Sequence, residues 1–126
     1  MEFVERKIIF HGSHFIDFYL EQTTKVQEKI EFVFHIIKRV ERVSKKFLCP
    51  IENTDGLYEI RVEYGSDIYR IFCCFDEGRI VVLFNAFQKK TQKTPQKEIG
   101  KALRLKRAYI EHKNTQENGK RSNKSH

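Results

Sequence analysis

The sequence predicts an α+β fold in the order β-α-α-β-β-β-α, with a mostly antiparallel sheet and its helices packed on one face. Three observations predict it. An apolar stripe recurs at helical spacing between Val26 and Val40. Three β-rich runs follow one another across tight turn signals between Leu57 and Phe87. A lysine-rich segment with helix-start chemistry then closes the pattern at Thr94-Pro95.

Each element follows from local chemistry. Phe3 to Phe10 reads as a first strand, rich in β-branched and aromatic residues, and Gly12-Ser13 breaks it. His14 to Leu20 can form a short helix with Phe15, Phe18 and Tyr19 inward. Thr24-Lys-Val-Gln27 matches a capping box, in which Thr24 and Gln27 satisfy free backbone N–H groups reciprocally. Val26, Ile30, Val33, Ile37 and Val40 then share one face of a helix reaching about Ser44, with Lys25, Glu28, Glu31, Lys38 and Arg42 opposite. Such a stripe packs into a core or, as the alternative, onto a partner. Residues 45–56, KKFLCPIENTDG, read as a connection punctuated by Pro50 and Asp55-Gly56.

The sheet comes next. Leu57 to Tyr64, Ile68 to Phe75 and Arg79 to Phe87 are strands separated by Gly65-Ser66 and Asp76-Glu77-Gly78. Connections this short require antiparallel neighbours. The last helix runs from Pro95 to about His112, with Thr94 as N-cap, Pro95 in the first position and Glu98 in the first turn. From Asn114 the chain is polar and without periodicity. The expected organisation is one domain over residues 1–113 and a disordered basic tail over 114–126.

Composition narrows the function. The chain has 126 residues, enough to bury a core without disulfides or metals, and a net charge of +7. That charge is concentrated: residues 89–113 hold nine basic and two acidic side chains, whereas residues 1–56 are balanced at nine of each. A field focused this way attracts a polyanion or an acidic partner surface; the alternative is a solvated basic helix face. The cysteines are Cys49, Cys73 and Cys74, an odd number with two adjacent, which suits a reduced, cytoplasmic protein. No apolar run is long enough to span a bilayer, and MEFVERKIIF does not look like a signal peptide. The scattered histidines and the lack of CxxC or HExxH point to no metal site.

Strand alternation separates two faces. Tyr58, Ile60, Val62 and Tyr64 share one with Tyr69, Ile71, Cys73 and Phe75; Glu59, Arg61 and Glu63 share the other with Arg70, Phe72 and Cys74. An even-length turn at Gly65-Ser66 sets Arg61 opposite Arg70 and Glu59 opposite Phe72. A three-residue turn would instead bury an unpaired guanidinium on the core face, at high cost. Like charges across a sheet are destabilising, so Glu59, Glu63 or an external anion must offset the pair. The expectation is an open, mixed sheet face bearing Arg61 and Arg70, bordered by Lys89, Lys90 and Lys93 and by the N-terminus of the last helix. Backbone phosphates of nucleic acid fit such a site, with Tyr64, Phe72 and Phe87 as possible stacking surfaces.

These residues also carry a family resemblance. GLYEIRVEYGSDIYRIFCCFDEGRIVVLFNAF followed by QKKTQKTPQKEIGKAL resembles the HigB-like, phage-related branch of the RelE/ParE superfamily of bacterial type II toxins. The matches are Leu57, Glu59, Ile60 and Arg61, then Tyr69-Arg70, then Phe87 with Lys89, Lys90, Thr91, Gln92, Lys93, Thr94 and Pro95. They cover Gly56 to about Tyr109; the first 55 residues match only in element order. The resemblance implies a growth-arresting mRNA interferase that cuts messenger RNA on the ribosome, is silenced by a HigA-like helix-turn-helix antitoxin, and needs no metal or other cofactor. In such a reaction the RNA 2′-OH attacks the adjacent phosphodiester. A group must take its proton, positive charge must stabilise the pentavalent phosphate, and a group must protonate the leaving 5′-oxygen. The implied catalytic set is Arg61, Arg70, Lys90 and Glu59, with Lys89, Gln92, Lys93 and Lys97 gripping RNA phosphates. Glu59 is either the base or an ion-pair partner of Arg61. The sheet carries no histidine, and Gln96 and Lys97 stand early in the last helix where some relatives place a tyrosine. Two other classes stay open: a ParE-like toxin that poisons a protein target such as DNA gyrase without cutting RNA, and a non-catalytic basic binding domain.

Overall fold

The computed structural model describes residues 3–90 and 95–124, with the side chains of the last helix as far as residue 117. In chain order the elements are β1 (Lys7–Phe10), α1 (His14–Leu20), α2 (Thr24–Arg39), β2 (Leu48–Pro50), β3 (Tyr58–Tyr64), β4 (Asp67–Asp76), β5 (Ile80–Lys89) and α3 (Gln96–Lys124). The strands form one sheet ordered β1-β5-β4-β3-β2, with β1 parallel to β5 and every other pair antiparallel. The α+β class and the mostly antiparallel sheet are as the sequence predicts.

Several boundaries differ for local reasons. The N-cap of α2 is Thr23, whose side chain accepts from the Val26 N–H at 3.3 Å. Gln27 does not close a capping box; its side chain donates to the Tyr19 carbonyl at 2.8 Å and ties α2 to α1. The helix ends at Arg39, short of Ser44, because Val40 turns extended and bridges to Phe3. Arg6 then donates to the Ile37 carbonyl at 2.9 Å, an acceptor that the helix end leaves open, and to the Val40 and Glu41 carbonyls just beyond it, both at 2.6 Å. Residues 48–50, expected to be connection, form the edge strand β2; Pro50 is tolerated at its end because an edge position does not require its missing donor.

The hairpin register is the predicted one. Arg61 lies opposite Arg70 and Glu59 opposite Phe72, joined through a two-residue turn in which Gly65 takes a φ of 62°. The next pairing slips. Ile71 faces Ala86 while Cys73 faces Leu83, so Phe84 and Asn85 together fall opposite Phe72 as a β-bulge.

The layering corrects one expectation: the helices do not share a face. Helices α1 and α2 bury Phe15, Val26, Ile30, Val33 and Ile37 against Ile60, Val62, Ile71, Cys73 and Leu83. Helix α3 buries Ala102, Ile99, Leu103 and Tyr109 against the opposite face, over Phe72, Cys74, Val82 and Phe84. The physical reason lies in the strands. Residues 72, 74, 82 and 84 form an apolar half of the second face, and leaving it wet would forfeit roughly 1.5–3 kcal/mol for each large side chain.

Helix α3 is anchored near its middle. The Tyr109 hydroxyl donates to Asp76 Oδ2 at 2.6 Å, and Lys113 Nζ donates to both Asp76 oxygens at 2.8 and 2.9 Å. Lys106 donates to the Asp55 carbonyl. Beyond Lys113 the helix continues to Lys124, where the sequence suggests a disordered tail from Asn114. Extending an existing helix adds one hydrogen bond per residue fixed, so apolar periodicity is not required there. The Lys113 and Tyr109 hydrogen bonds hold the Asp76 carboxyl below its ordinary value of 3.8. A lowered carboxylate contributes stability above its unfolded pKa and loses it as pH falls through the folded value. The Asp76→Asn variant is therefore expected to melt lower than wild type at pH 7, and the gap in Tm is expected to close as both are titrated downward from about pH 4.

Candidate nucleic-acid interface

Glu59, Arg61 and Arg70 meet on the face that α3 covers only in part. Strand alternation delivers Glu59 and Arg61 from β3, and the hairpin register delivers Arg70 from β4. Glu59 Oε1 accepts from Arg61 Nε at 3.0 Å and from Arg70 Nη1. One carboxylate oxygen thus sits between two guanidinium groups that face each other across the sheet, which offsets their repulsion. Burial is uneven. The Glu59 and Arg70 side chains are 3% and 6% exposed, whereas that of Arg61 is 34% exposed. Arg61 is the arginine that a ligand can reach. Glu59 Oε2 and Arg70 Nε are buried without a hydrogen-bond partner among the described residues.

Lys89 completes the cluster. It ends β5 opposite Ile68, two residues beyond Phe87, which lies opposite Arg70. It is half-buried, while Lys90 and Lys97 are exposed. Burial pushes the Lys89 ammonium below the ordinary lysine value, and the cations of Arg70 and Arg61 push the same way against the opposing charge of Glu59. Gln92 and Lys93, expected to grip phosphates, lie outside the described residues, as do Thr91 and the expected N-cap Thr94.

The bulge positions α3 beside this cluster. Asn85 is buried, and its amide donates to the Glu98 carbonyl at 3.1 Å and to Glu98 Oε2 at 2.9 Å, fixing the first turn of α3 against β5. Hydrophobic patterning misses Asn85, although its signal is present: an asparagine, a residue depleted in strands, inside the run VVLFNAF. Of the expected stacking surfaces, Phe72 is fully buried and belongs to the core. Phe87 packs against it with ring centroids 5.6 Å apart. Tyr64 is exposed. The sheet face is therefore not open along its whole length. Beneath α3 it is core; the end bearing Arg61, Arg70 and Lys89 is the polar remainder.

Cys73 and Cys74 contribute no nucleophile. Burial pushes the Cys73 thiol far up and the Cys74 thiol up to about 11, so neither supplies thiolate near neutrality. Among the described residues no helix is long and apolar enough to cross a membrane.

Comparison with known proteins agrees with the phage-related part of the sequence-based resemblance. Residues 17–107 match the family model described as phage-derived protein Gp49-like. No curated protein matches the sequence. Among solved structures, the chain is similar to one in the archaeal RelE–RelB complex from Pyrococcus horikoshii OT3, at 15% identity and a TM-score of 0.49, covering 66% of this chain and 93% of that one. With the family model spanning most of its length, the chain belongs to the phage-derived Gp49-like family, a family of RelE-type, toxin-like proteins.

Proposed function

We propose that this protein is the toxin of a type II toxin-antitoxin pair and acts as a metal-independent, ribosome-associated mRNA endonuclease. The observation that carries the reading is the Arg61–Glu59–Arg70 cluster, buried except at Arg61, with half-buried Lys89 at its side. These groups supply fixed positive charge, and a pentavalent phosphate needs charge that is already in place before it forms. Arg61, the accessible arginine, contacts the phosphate. Arg70 and Glu59 position it: Glu59 Oε1 accepts from Arg61 Nε and from Arg70 Nη1, and so ties the two guanidinium groups together. Glu59 acts here as the ion-pair partner rather than as the base, since its carboxylate is already engaged by both arginines. Lys89 donates a proton to the leaving 5′-oxygen, and the proton of the attacking 2′-OH passes to solvent water. Lys90 and Lys97, both exposed, hold flanking phosphates by charge. The natural inhibitor is a small helix-turn-helix antitoxin encoded beside it.

The test is induced expression followed by primer extension on cellular messages. New 5′ ends on translated mRNA are expected within the growth arrest, and co-expression of the neighbouring antitoxin is expected to abolish both. Growth arrest with intact mRNA and damaged DNA would replace this reading with that of a toxin acting on gyrase.

A further inference from the structure

A second basic site lies where β2 stops pairing with β3. Their last link is the Arg61 N–H donating to the Phe47 carbonyl at 2.8 Å; beyond it the edge of β3 opens. There a cavity of about 190 Å³ is lined by Lys29 from α2, Lys46 and Phe47 from the segment entering β2, and Arg61, Glu63 and Gly65 of the hairpin. Three cations and one carboxylate line it. Neither lysine is paired with a carboxylate among the described residues. Each instead lies over an aromatic ring, Lys46 at 5.6 Å from the Phe47 centroid and Lys29 at 4.8 Å from that of Phe32. Cation–π interactions orient an ammonium without neutralising it, so both charges remain available to an anion.

Arg61 is shared between this cavity and the Glu59–Arg70 cluster. A strand of RNA whose scissile phosphate rests on Arg61 therefore has the two lysines of the same recess beside it. The alternative, a solvated lysine surface, leaves unexplained why the two lysines line a recess containing the accessible arginine.

We infer that the Lys29–Lys46–Arg61 cavity binds a backbone phosphate of the single-stranded RNA flanking the cleaved step. The inference rests on the nuclease reading above. Its test uses the full-length protein and fluorescent single-stranded RNA carrying 2′-O-methyl groups, which binds without being cut. Binding is measured by anisotropy over a range of salt, for a trinucleotide and for a longer strand. Wild type is expected to bind the longer strand more tightly. The double substitution Lys29→Gln and Lys46→Gln is expected to lower that affinity about tenfold and to flatten the salt slope by roughly 0.7 for each phosphate it no longer neutralises. Binding of the trinucleotide is expected to be unchanged. An unchanged salt slope and affinity in the double variant overturns the inference. So does a variant that binds both RNAs normally but has weakened affinity for purified antitoxin, which would assign the cavity to the partner protein. Failure of wild type to produce new 5′ ends on translated messages is a separate result, and overturns the nuclease reading itself.

Discussion

Replacing Glu59 with alanine is expected to destabilise the fold by about 3–5 kcal/mol, the range for removing one partner of a buried ion pair. Arg70 is 5% exposed and would keep its charge with no carboxylate beside it. Arg61, directly across the ladder, would then repel it without compensation. Thermal or denaturant unfolding of Glu59→Ala checks this, with a fall in Tm of roughly 10–20 °C expected for a domain of this size. A companion variant separates charge from packing. Changing Glu59 and Arg70 together to leucine removes both buried charges, and such exchanges are often neutral or stabilising. That double variant is expected to recover much of the missing stability while remaining inactive, because Arg61 is no longer held. If Glu59→Ala melts within a degree or two of wild type, the cluster is not what organises this end of the sheet.

The same cluster marks how far the sequence can be read. The pairing of Arg61 with Arg70 is legible because the turn at Gly65-Ser66 permits few lengths, and one of them would bury a lone guanidinium. Alternation then fixes which side chains share a face. The need for a compensating group is also legible, with Glu59 among the candidates. The uneven burial is not. Arg70 comes from β4, between β3 and β5, whereas Arg61 comes from β3, whose neighbour β2 pairs only as far as Ile60; the Phe84–Asn85 bulge, which slips the β4–β5 register by one residue, is no more visible. Hydrophobic pattern is blind to a bulge: it records which residues are apolar, not where the pleat restarts. The placement of α3 over the second face is hidden for a related reason. That face is apolar at Phe72, Cys74, Val82 and Phe84 and charged at Glu59, Arg61 and Arg70, so strand by strand it reads as mixed. Only the assembled sheet separates it into a core half and a polar half. The role of Lys89 among four similar lysines is likewise invisible in sequence, since burial rather than chemistry sets it apart from Lys90 and Lys97.

Lys89→Ala is expected to lower the rate of RNA cleavage by about 10²–10⁴-fold, the usual contribution of a positioned proton donor. Charge alone could also explain a reduced rate, so the pH dependence decides. A lysine serves as general acid only while protonated, and its environment here lowers its pKa. Activity is therefore expected to fall as pH rises through that lowered value, starting below the ordinary lysine pKa of about 10.4. The Lys89→Ala variant is expected to lack that alkaline limb. Lys89→Arg keeps the cation but holds its proton throughout the range, so KM is expected near wild type with kcat reduced nearly as far as in the alanine variant. Glu59 supplies a signed control, because its negative charge raises the Lys89 pKa against the two arginines. Glu59→Gln, measured at a temperature where it stays folded, is expected to move the alkaline limb to lower pH. If Lys89→Arg retains wild-type kcat and the limb does not move, Lys89 contributes only charge, and the proton for the leaving oxygen comes from elsewhere.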